Sequence, residues 1–217
     1  MTPHTTPPAP PAGLRESKKQ ETRQLISDVA TRLFLAQGFE STTIAEIAAA
    51  ARVAKKTVTN YFPRKEDLAL DHQDAFVASL AITVTGRRTG ESALTALHRA
   101  FVDAAGKADP VVGFSGPDFA RMIADSPTLS TRLRDLHDLR EAALSDALAG
   151  ATGAPRDDIT PRTAAALLGA VHRTLFRRIQ ELTLAGQGDT RICATVIAEA
   201  DSAFSLLEPS LAHYAAA

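Results

Sequence analysis

The sequence predicts an all-α protein of about nine helices, and two observations lead to this prediction. The 217 residues include only 9 Phe, 2 Tyr and no Trp, and Ala and Leu outnumber the β-branched residues that strands prefer. Prolines and glycines, 12 of each, then divide most of the chain into proline-free stretches of helical length. An all-β fold is therefore excluded.

Helical periodicity and these helix-breaking residues place each element in turn. The predicted helices span about 17–37, 43–50, 55–61, 65–85, 91–107, 117–125, 127–149, 161–185 and 189–207. Gly38 follows the first helix as its C′ residue. Thr43 and Glu46 form a capping-box pattern at the start of the second helix, and Pro63 ends the third.

Charge and cysteine content restrict the class of protein. The chain has 24 basic and 25 acidic residues, so its net charge of -1 indicates no partner. The single cysteine, Cys193, can form neither an intrachain disulfide nor a Cys/His zinc cluster, and we interpret it as packing rather than as a redox sensor. No segment resembles a membrane span or a signal peptide. We expect a cytoplasmic protein with no membrane, metal or cofactor partner.

The basic residues are concentrated in one segment. Residues 52–65, RVAKKTVTNYFPRK, contain five basic residues and no acid. Two short helices joined by a tight turn match the helix-turn-helix plan, in which the second helix enters the DNA major groove. Val58 and Phe62, four residues apart, would anchor this second helix to the core. Its other side would then be exposed.

The exposed side chains of this segment suit DNA recognition. Lysines reach guanine acceptors or phosphates, asparagine pairs with adenine, and hydroxyl groups contact phosphates. Amides at helix N-termini suit phosphate as well. The predicted DNA-binding residues are Thr42, Thr43, Arg52, Lys55, Lys56, Thr57, Thr59, Asn60, Tyr61 and Lys65. The alternative is that this basic run is only a solvated helix face.

An ordered set of motifs between residues 22 and 70 carries a family resemblance. The motifs are Gly38-Phe39, Thr42-Thr43, Ile44 to Ala48, Val53, Thr57, Tyr61-Phe62 and Lys65-Glu66-Asp67-Leu68. Together they resemble the DNA-binding domain of the tetracycline-repressor (TetR) family. Two positions depart from the family pattern: Arg52 replaces a glycine in the turn, and Ala54 replaces a serine cap. Arg52 would then need a left-handed backbone.

The resemblance implies a function and a division of the chain. Residues 1–16 are predicted to be a disordered tail, 17–64 the helix-turn-helix domain, and 65–217 a C-terminal domain for ligand binding and dimerisation. The family plan implies a bacterial homodimer that binds an inverted-repeat operator in double-stranded DNA on the nucleoid. A small hydrophobic molecule would release this repressor from the operator. A regulator without an effector, and an activator, are the alternatives.

The last two long helices each carry an apolar seam that predicts a dimer interface. The seam residues are Leu168, Val171, Leu175, Ile179, Ile192, Val196, Ala200 and Ala203. The family resemblance implies that these two helices from each of two subunits form a four-helix bundle. The alternative is that both seams serve only the core of their own chain.

The C-terminal domain also contains candidates for an effector pocket. Aromatic and apolar residues could line it, and histidines and arginines could orient a ligand. The predicted ligand-binding residues are Phe76, His98, Phe101, Phe114, Phe119, Arg121, Met122, His137, Arg140, His172 and Phe176. Plain core packing and locally satisfied histidines are the alternatives. We do not expect an enzyme, because the chain has no phosphate loop, GxSxG or HExxH motif.

Overall fold

A computed structural model describes residues 12–216, with side chains from Glu16 onward. The described residues form eleven α-helices and a 3-10 turn at Pro110–Val112, and they contain no strand, which confirms the all-α prediction. The helices are α1 (Ala12–Gln37), α2 (Ile44–Ala50), α3 (Lys55–Tyr61), α4 (Glu66–Ala69), α5 (Gln73–Thr85), α6 (Ala93–Ala105), α7 (Pro117–Asp125), α8 (Pro127–Thr152), α9 (Thr160–Leu184), α10 (Asp189–Ser205) and α11 (Glu208–Leu211).

The predicted helix 65–85 is two helices, α4 and α5. The backbone of Leu70 leaves the helical region, with φ -112° and ψ 50°, although no glycine or proline marks the break. The short α4 packs against α1 and buries Leu68 and Ala69. Tertiary packing therefore interrupts a segment whose local pattern favours one helix.

The chain divides into two compact units, the first ending at Asp71 and the second beginning at His72. This boundary lies beyond residue 64 because α4 packs on α1 and Ser27 donates a hydrogen bond to the Asp71 carboxylate. Residues 12–16 of the predicted tail belong to α1, and the rest of that prediction lies outside the described residues.

The first unit contains α1 to α4 around a small apolar core. Its fully buried side chains are Ile26, Phe34, Ile47, Val58, Phe62 and Leu68. The predicted end of α1 is confirmed, since Gly38 has φ 89° and its amide donates to the carbonyl of Phe34 at 2.9 Å. The Phe34 ring contacts the Phe39 ring across this turn, with centroids 5.0 Å apart.

The second unit contains α5 to α11. Helix α8 packs along α5 and α9, and α10 packs against α6 and α9. Ser126 caps α8 by accepting a hydrogen bond from the amide of Leu129 at 3.1 Å, and Pro127 occupies the first helical position. Among the described helices, none combines the length and the apolar character that a membrane span requires.

Candidate functional site

The first functional element is the start of α2, where a capping box forms as predicted. The amide of Glu46 donates to the Thr43 hydroxyl at 3.2 Å, and the amide of Thr43 donates to the Glu46 carboxylate at 2.7 Å. The Thr43 hydroxyl also donates to the Glu46 carboxylate at 2.8 Å. The hydrogen bonds that the carboxylate accepts from the Thr43 amide and hydroxyl lower the pKa of Glu46. Thr43 stays exposed on the surface of the unit.

Arg52 holds the turn between α2 and α3 in a left-handed conformation, with φ 54°. The amide of Arg52 donates to the Ala49 carbonyl at 3.1 Å, and the amide of Val53 donates to the Ala48 carbonyl at 3.0 Å. This is the hydrogen-bond pattern of a Schellman motif with Arg52 at C′, a position that glycine usually occupies. The strain expected from the sequence is confirmed, and the Arg52 side chain is exposed.

Helix α3 has one buried side and one polar side. Val58 and Phe62 are buried, as their spacing predicts. Lys55, Lys56, Thr59 and Asn60 are exposed, while Thr57 and Tyr61 are half-buried. No described acidic side chain pairs with either lysine, so both charges can meet an external anion. The helix also lacks a side-chain cap at Ala54, as the departure from the family pattern predicts.

Two predicted DNA-binding residues have side chains that form hydrogen bonds inside the first unit. The Lys65 ammonium donates to the carbonyls of Phe39, Glu40 and Thr42 at 2.9, 3.3 and 3.1 Å. It also lies 4.3 Å from the centroid of the Phe39 ring. Thr42 is buried and donates to the Gly38 carbonyl at 2.8 Å. Lys65 and Thr42 therefore stabilise the loop that precedes α2.

Arg23 on α1 is a positioning residue that the sequence analysis missed. Its guanidinium donates to the Tyr61 carbonyl at 3.0 Å, at the last residue of α3. The same group lies 4.3 Å from the centroid of the Phe62 ring. Arg23 therefore ties the end of α3 to α1. Its distance of 38 positions from Tyr61 in the sequence gives no local signal for this contact.

The second unit contains a buried group of rings that we call the interior cluster: Phe76, Phe101, His137, His172, Phe176 and Phe204. Most of the contacts are edge-to-face, with centroids 5.0 Å apart for Phe76–His137 and 5.2 Å for His137–Phe176. The Phe101 and Phe204 rings lie 5.9 and 5.5 Å from the His172 ring. Helices α5, α6, α8, α9 and α10 each contribute to this cluster.

Arg140 lies at the cluster with its guanidinium 4.4 Å from the centroid of the Phe76 ring. Only 3% of the residue is exposed. Its Nε donates to the Ser79 hydroxyl at 2.9 Å, and no described carboxylate pairs with it. Burial lowers the pKa of Arg140 to about 9, so the group is charged at neutral pH. This places a cation without a counter-charge in the interior of the unit.

Both histidines of the cluster are neutral at pH 7. Burial, followed by the charges of Arg140, Arg173 and Arg177, lowers the pKa of His137 to about 4. Burial and the charge of Arg140 hold the pKa of His172 well below its ordinary value. The Nε2 atom of His172 is buried with no hydrogen-bond partner among the described residues. It can therefore offer a hydrogen bond to a molecule from outside.

The other predicted ligand-binding residues lie apart from these ring contacts. Phe114 and Met122 are buried and Phe119 is half-buried, but none of the three has a described ring contact with the cluster. Arg121 is exposed on α7. His98 is half-exposed, stacks on Phe204 at 4.8 Å and pairs with Asp201 at 2.9 Å, which places it at the rim.

Two residues of this region were missed as candidates. Phe204 reaches the cluster from α10, and Ser79 binds Arg140 from α5. Phe204 was not selected, because helical periodicity does not state which residues a helix face contacts. Ser79 had no distinguishing pattern at all, because its partner lies 61 positions away.

The predicted dimer seam points into the chain and not outward. Six of its eight residues, Leu168, Leu175, Ile179, Ile192, Val196 and Ala200, are no more than 2% exposed within the single chain. Val171 and Ala203 are half-buried. These six side chains fill the core of their own unit and cannot contact a second subunit. The prediction is therefore wrong for these six residues, which instead follow the alternative that the seams serve the core of their own chain. The exposed side of α9 carries Leu167, Ala170, Thr174, Arg177, Glu181 and Leu184 instead.

The geometry of α2, the turn and α3 defines a helix-turn-helix protein of the class that regulates transcription, and comparisons with known proteins agree. The family described as bacterial regulatory proteins, tetR family, matches residues 26–71. The HTH-type transcriptional regulator TcmR of Streptomyces glaucescens is 33% identical over 183 residues, which cover 80% of this chain and 78% of TcmR. The chain belongs to the TetR family of transcriptional regulators.

One further protein is similar to part of this chain in sequence, and another is similar to most of it in fold. The HTH-type transcriptional regulator AcrR of Shigella flexneri is 49% identical over 53 residues, or 24% of this chain and 25% of AcrR. The solved SmeT–triclosan complex shares the fold with a TM-score of 0.53 at 19% identity, covering 85% of this chain and 91% of that chain. The second similarity concerns the fold alone.

Proposed function

We propose that this regulator is a homodimeric repressor that binds an inverted-repeat operator through α3 and leaves it when a small molecule occupies the second unit. The exposed polar side of α3 is the observation that supports DNA reading most directly. Lys55, Lys56, Thr59 and Asn60 share that side, and Val58 fixes the helix from the other. Two such helices in successive major grooves would require half-sites about one helical turn, roughly 34–36 Å, apart.

The exposed side of α9 supports dimerisation. Leu167 and Leu184 are 41% and 38% exposed, and the exposed residues between them recur at steps of three and four. On α10 the exposed Ala194 and Ala198 would allow close helix approach. Within the chain, Nε of Arg178 on α9 donates to the carboxylate of Glu199 on α10 at 3.1 Å. This contact holds α9 and α10 side by side, so the two helices form one continuous surface. A second copy of this surface would complete a four-helix bundle.

Effector control is proposed for the interior cluster because it combines apolar rings with unsatisfied polar groups. SmeT, which has the same fold, has been solved as a complex with triclosan, so a small molecule can occupy a protein of this fold. The effector must bind the DNA-free form of the regulator more tightly than the DNA-bound form. The ratio of these two affinities limits how far the effector can shift the equilibrium between the two forms.

Selection of duplex DNA from a random library with the full chain tests the DNA-binding part of this proposal. We expect enrichment of an inverted repeat whose half-sites are centred about 10 base pairs apart. Replacing Asn60 with Ala should relax one base position at a cost of about 1–3 kcal/mol. Enrichment of no symmetric sequence would contradict the proposal. Transcription from a promoter that carries the selected site then separates repression from activation.

A further inference from the structure

We propose that the effector of this regulator is an aromatic molecule with an acidic oxygen, a carboxylate or an ionised phenol, whose negative charge pairs with Arg140. This inference rests on the proposed function of the second unit and names the class of molecule that the unit binds. Three features of the interior cluster lead to it: an unpaired cation, a positive surrounding and a flat apolar lining.

The first feature is the missing counter-charge of Arg140. Buried charges are paired in most proteins because removing an ion from water is costly. The two carboxylates nearest to Arg140 along α8, those of Asp138 and Glu141, lie 3.7 and 3.5 Å from the guanidinium of Arg173. They are therefore engaged elsewhere, and the Ser79 hydroxyl supplies only a neutral partner.

The second feature is the positive electrostatic surrounding. His137 lies close enough to Arg140, Arg173 and Arg177 for all three to act on its ionisation, and Arg140 acts on His172 as well. Both imidazoles are neutral and cannot supply a negative charge. Since no carboxylate among the described residues pairs with Arg140, we assign the balancing anion to a ligand.

The third feature determines the body of the ligand. Phe76, Phe176, Phe101 and Phe204 contact the two imidazoles edge-to-face, and aromatic rings favour contacts of this kind with another flat ring. The planar guanidinium of Arg140 can hold a carboxylate through two parallel hydrogen bonds. The Nε2 atom of His172, buried without a partner, supplies a second polar contact for an oxygen on the ligand.

Calorimetric titration of the full chain with matched acids and amides tests this proposal. The probes are benzoate with benzamide, naphthoate with naphthamide, and anthracenecarboxylate with its amide. We expect at least one acid to bind about tenfold tighter than its amide, the order of a charge-assisted hydrogen bond. Arg140→Met and Arg140→Gln should both reduce that ratio to near one. Arg134→Met, at an exposed arginine of the same helix, should leave the ratio unchanged.

Equal binding of every acid and its amide to the wild-type chain would overturn the proposal, and so would an acid preference that survives in both Arg140 variants. Without ligand, the thermal midpoint of Arg140→Met should equal or exceed that of the wild type, since an unpaired buried charge has been removed. A lower midpoint together with an unchanged acid preference would make Arg140 a purely structural residue.

The outcomes separate this inference from the proposed function. Release of DNA by neutral compounds, with no acid preference, would overturn the inference and support the proposed effector control. Acid-selective binding that leaves DNA binding unchanged would support the ligand class and contradict effector-controlled release.

Discussion

Arg52 combines a strained backbone with an exposed side chain that we propose contacts DNA. A left-handed backbone costs a residue with a Cβ about 1 kcal/mol relative to glycine, and Arg52 adopts that backbone at the turn before α3. A residue with a strained backbone is often retained where its side chain has a functional role. The exposed guanidinium beside the proposed DNA-reading helix is suited to a phosphate contact.

Replacing Arg52 with Gly should therefore stabilise the first unit and weaken DNA binding. We expect the free energy of unfolding to rise by about 1 kcal/mol, and the salt dependence of DNA binding to fall by about one phosphate contact. Urea denaturation and DNA titrations over a range of salt concentrations measure the two effects. Arg52→Lys is the control, since it keeps both the charge and the strain. An unchanged salt slope in Arg52→Gly would rule out the phosphate contact.

Lys65 and Lys55 provide a second contrast at the scale of one side chain. The Lys65 ammonium binds three carbonyls of the loop before α2, whereas Lys55 is exposed on α3. Lys65→Met should lower the free energy of unfolding by about 1–2 kcal/mol and leave the salt slope of DNA binding unchanged. Lys55→Met should leave stability unchanged and reduce the slope by about one contact. The reverse pattern would support a direct DNA contact by Lys65, as the sequence predicts.

At the scale of elements, α9 has a buried side and an exposed side that carry different residues. Its apolar seam, including Leu168, Leu175 and Ile179, packs into the core of the second unit. Its opposite side carries leucines at both ends and small or charged residues between them. A helix that is buried on one side and carries exposed leucines on the other is suited to a subunit interface.

A charged residue in that exposed side should separate the subunits without unfolding them. Leu167→Asp places a carboxylate in the proposed interface, and because Leu167 is 41% exposed in the single chain, the fold should survive. Leu139→Asp on α8, at a residue of similar exposure, is the matched control. Sedimentation velocity should show a monomer for the first variant and a dimer for the second. Two dimers would exclude this side of α9 from the interface.

At the scale of the whole molecule, the neutral histidines make stability depend on pH. The pKa of His137 is about 4 in the folded chain and about 6.5 in the unfolded chain. Between these values the unfolded chain binds a proton that the folded chain does not, so unfolding becomes more favourable as the pH falls. The stabilisation is complete above pH 6.5 and is lost as the pH falls to 4.

We expect the free energy of unfolding to fall by about 3 kcal/mol from His137 alone between these limits, with His172 acting in the same direction. Denaturant titrations at pH 7 and pH 5 should show a smaller difference for His137→Asn than for the wild type. The surface variant His213→Asn should keep the wild-type difference. An equal loss in His137→Asn would show that other groups cause the acid sensitivity.

How far the sequence was predictive differs between the two units. In the first unit the limits of α3, the Thr43–Glu46 capping box and the buried Val58 were all predicted, because each depends on residues within one turn of one another. The engagement of Lys65 was not predicted, because the carbonyls that it binds lie 23 to 26 positions away. Contacts at that separation depend on how helices pack.

In the second unit, the sequence identified His137 and Arg140 as pocket candidates and predicted the apolar seams of α9 and α10. Periodicity states which residues share a helix face, but not what that face contacts. In the packed unit the seam residues lie in the core and Arg121 lies on the surface. Arg140 is buried with no described carboxylate as its partner. Local sequence was therefore sufficient for most of the long helices and for the surface of α3. The break at Leu70 and the buried charge that we assign to an effector arise only where distant helices meet.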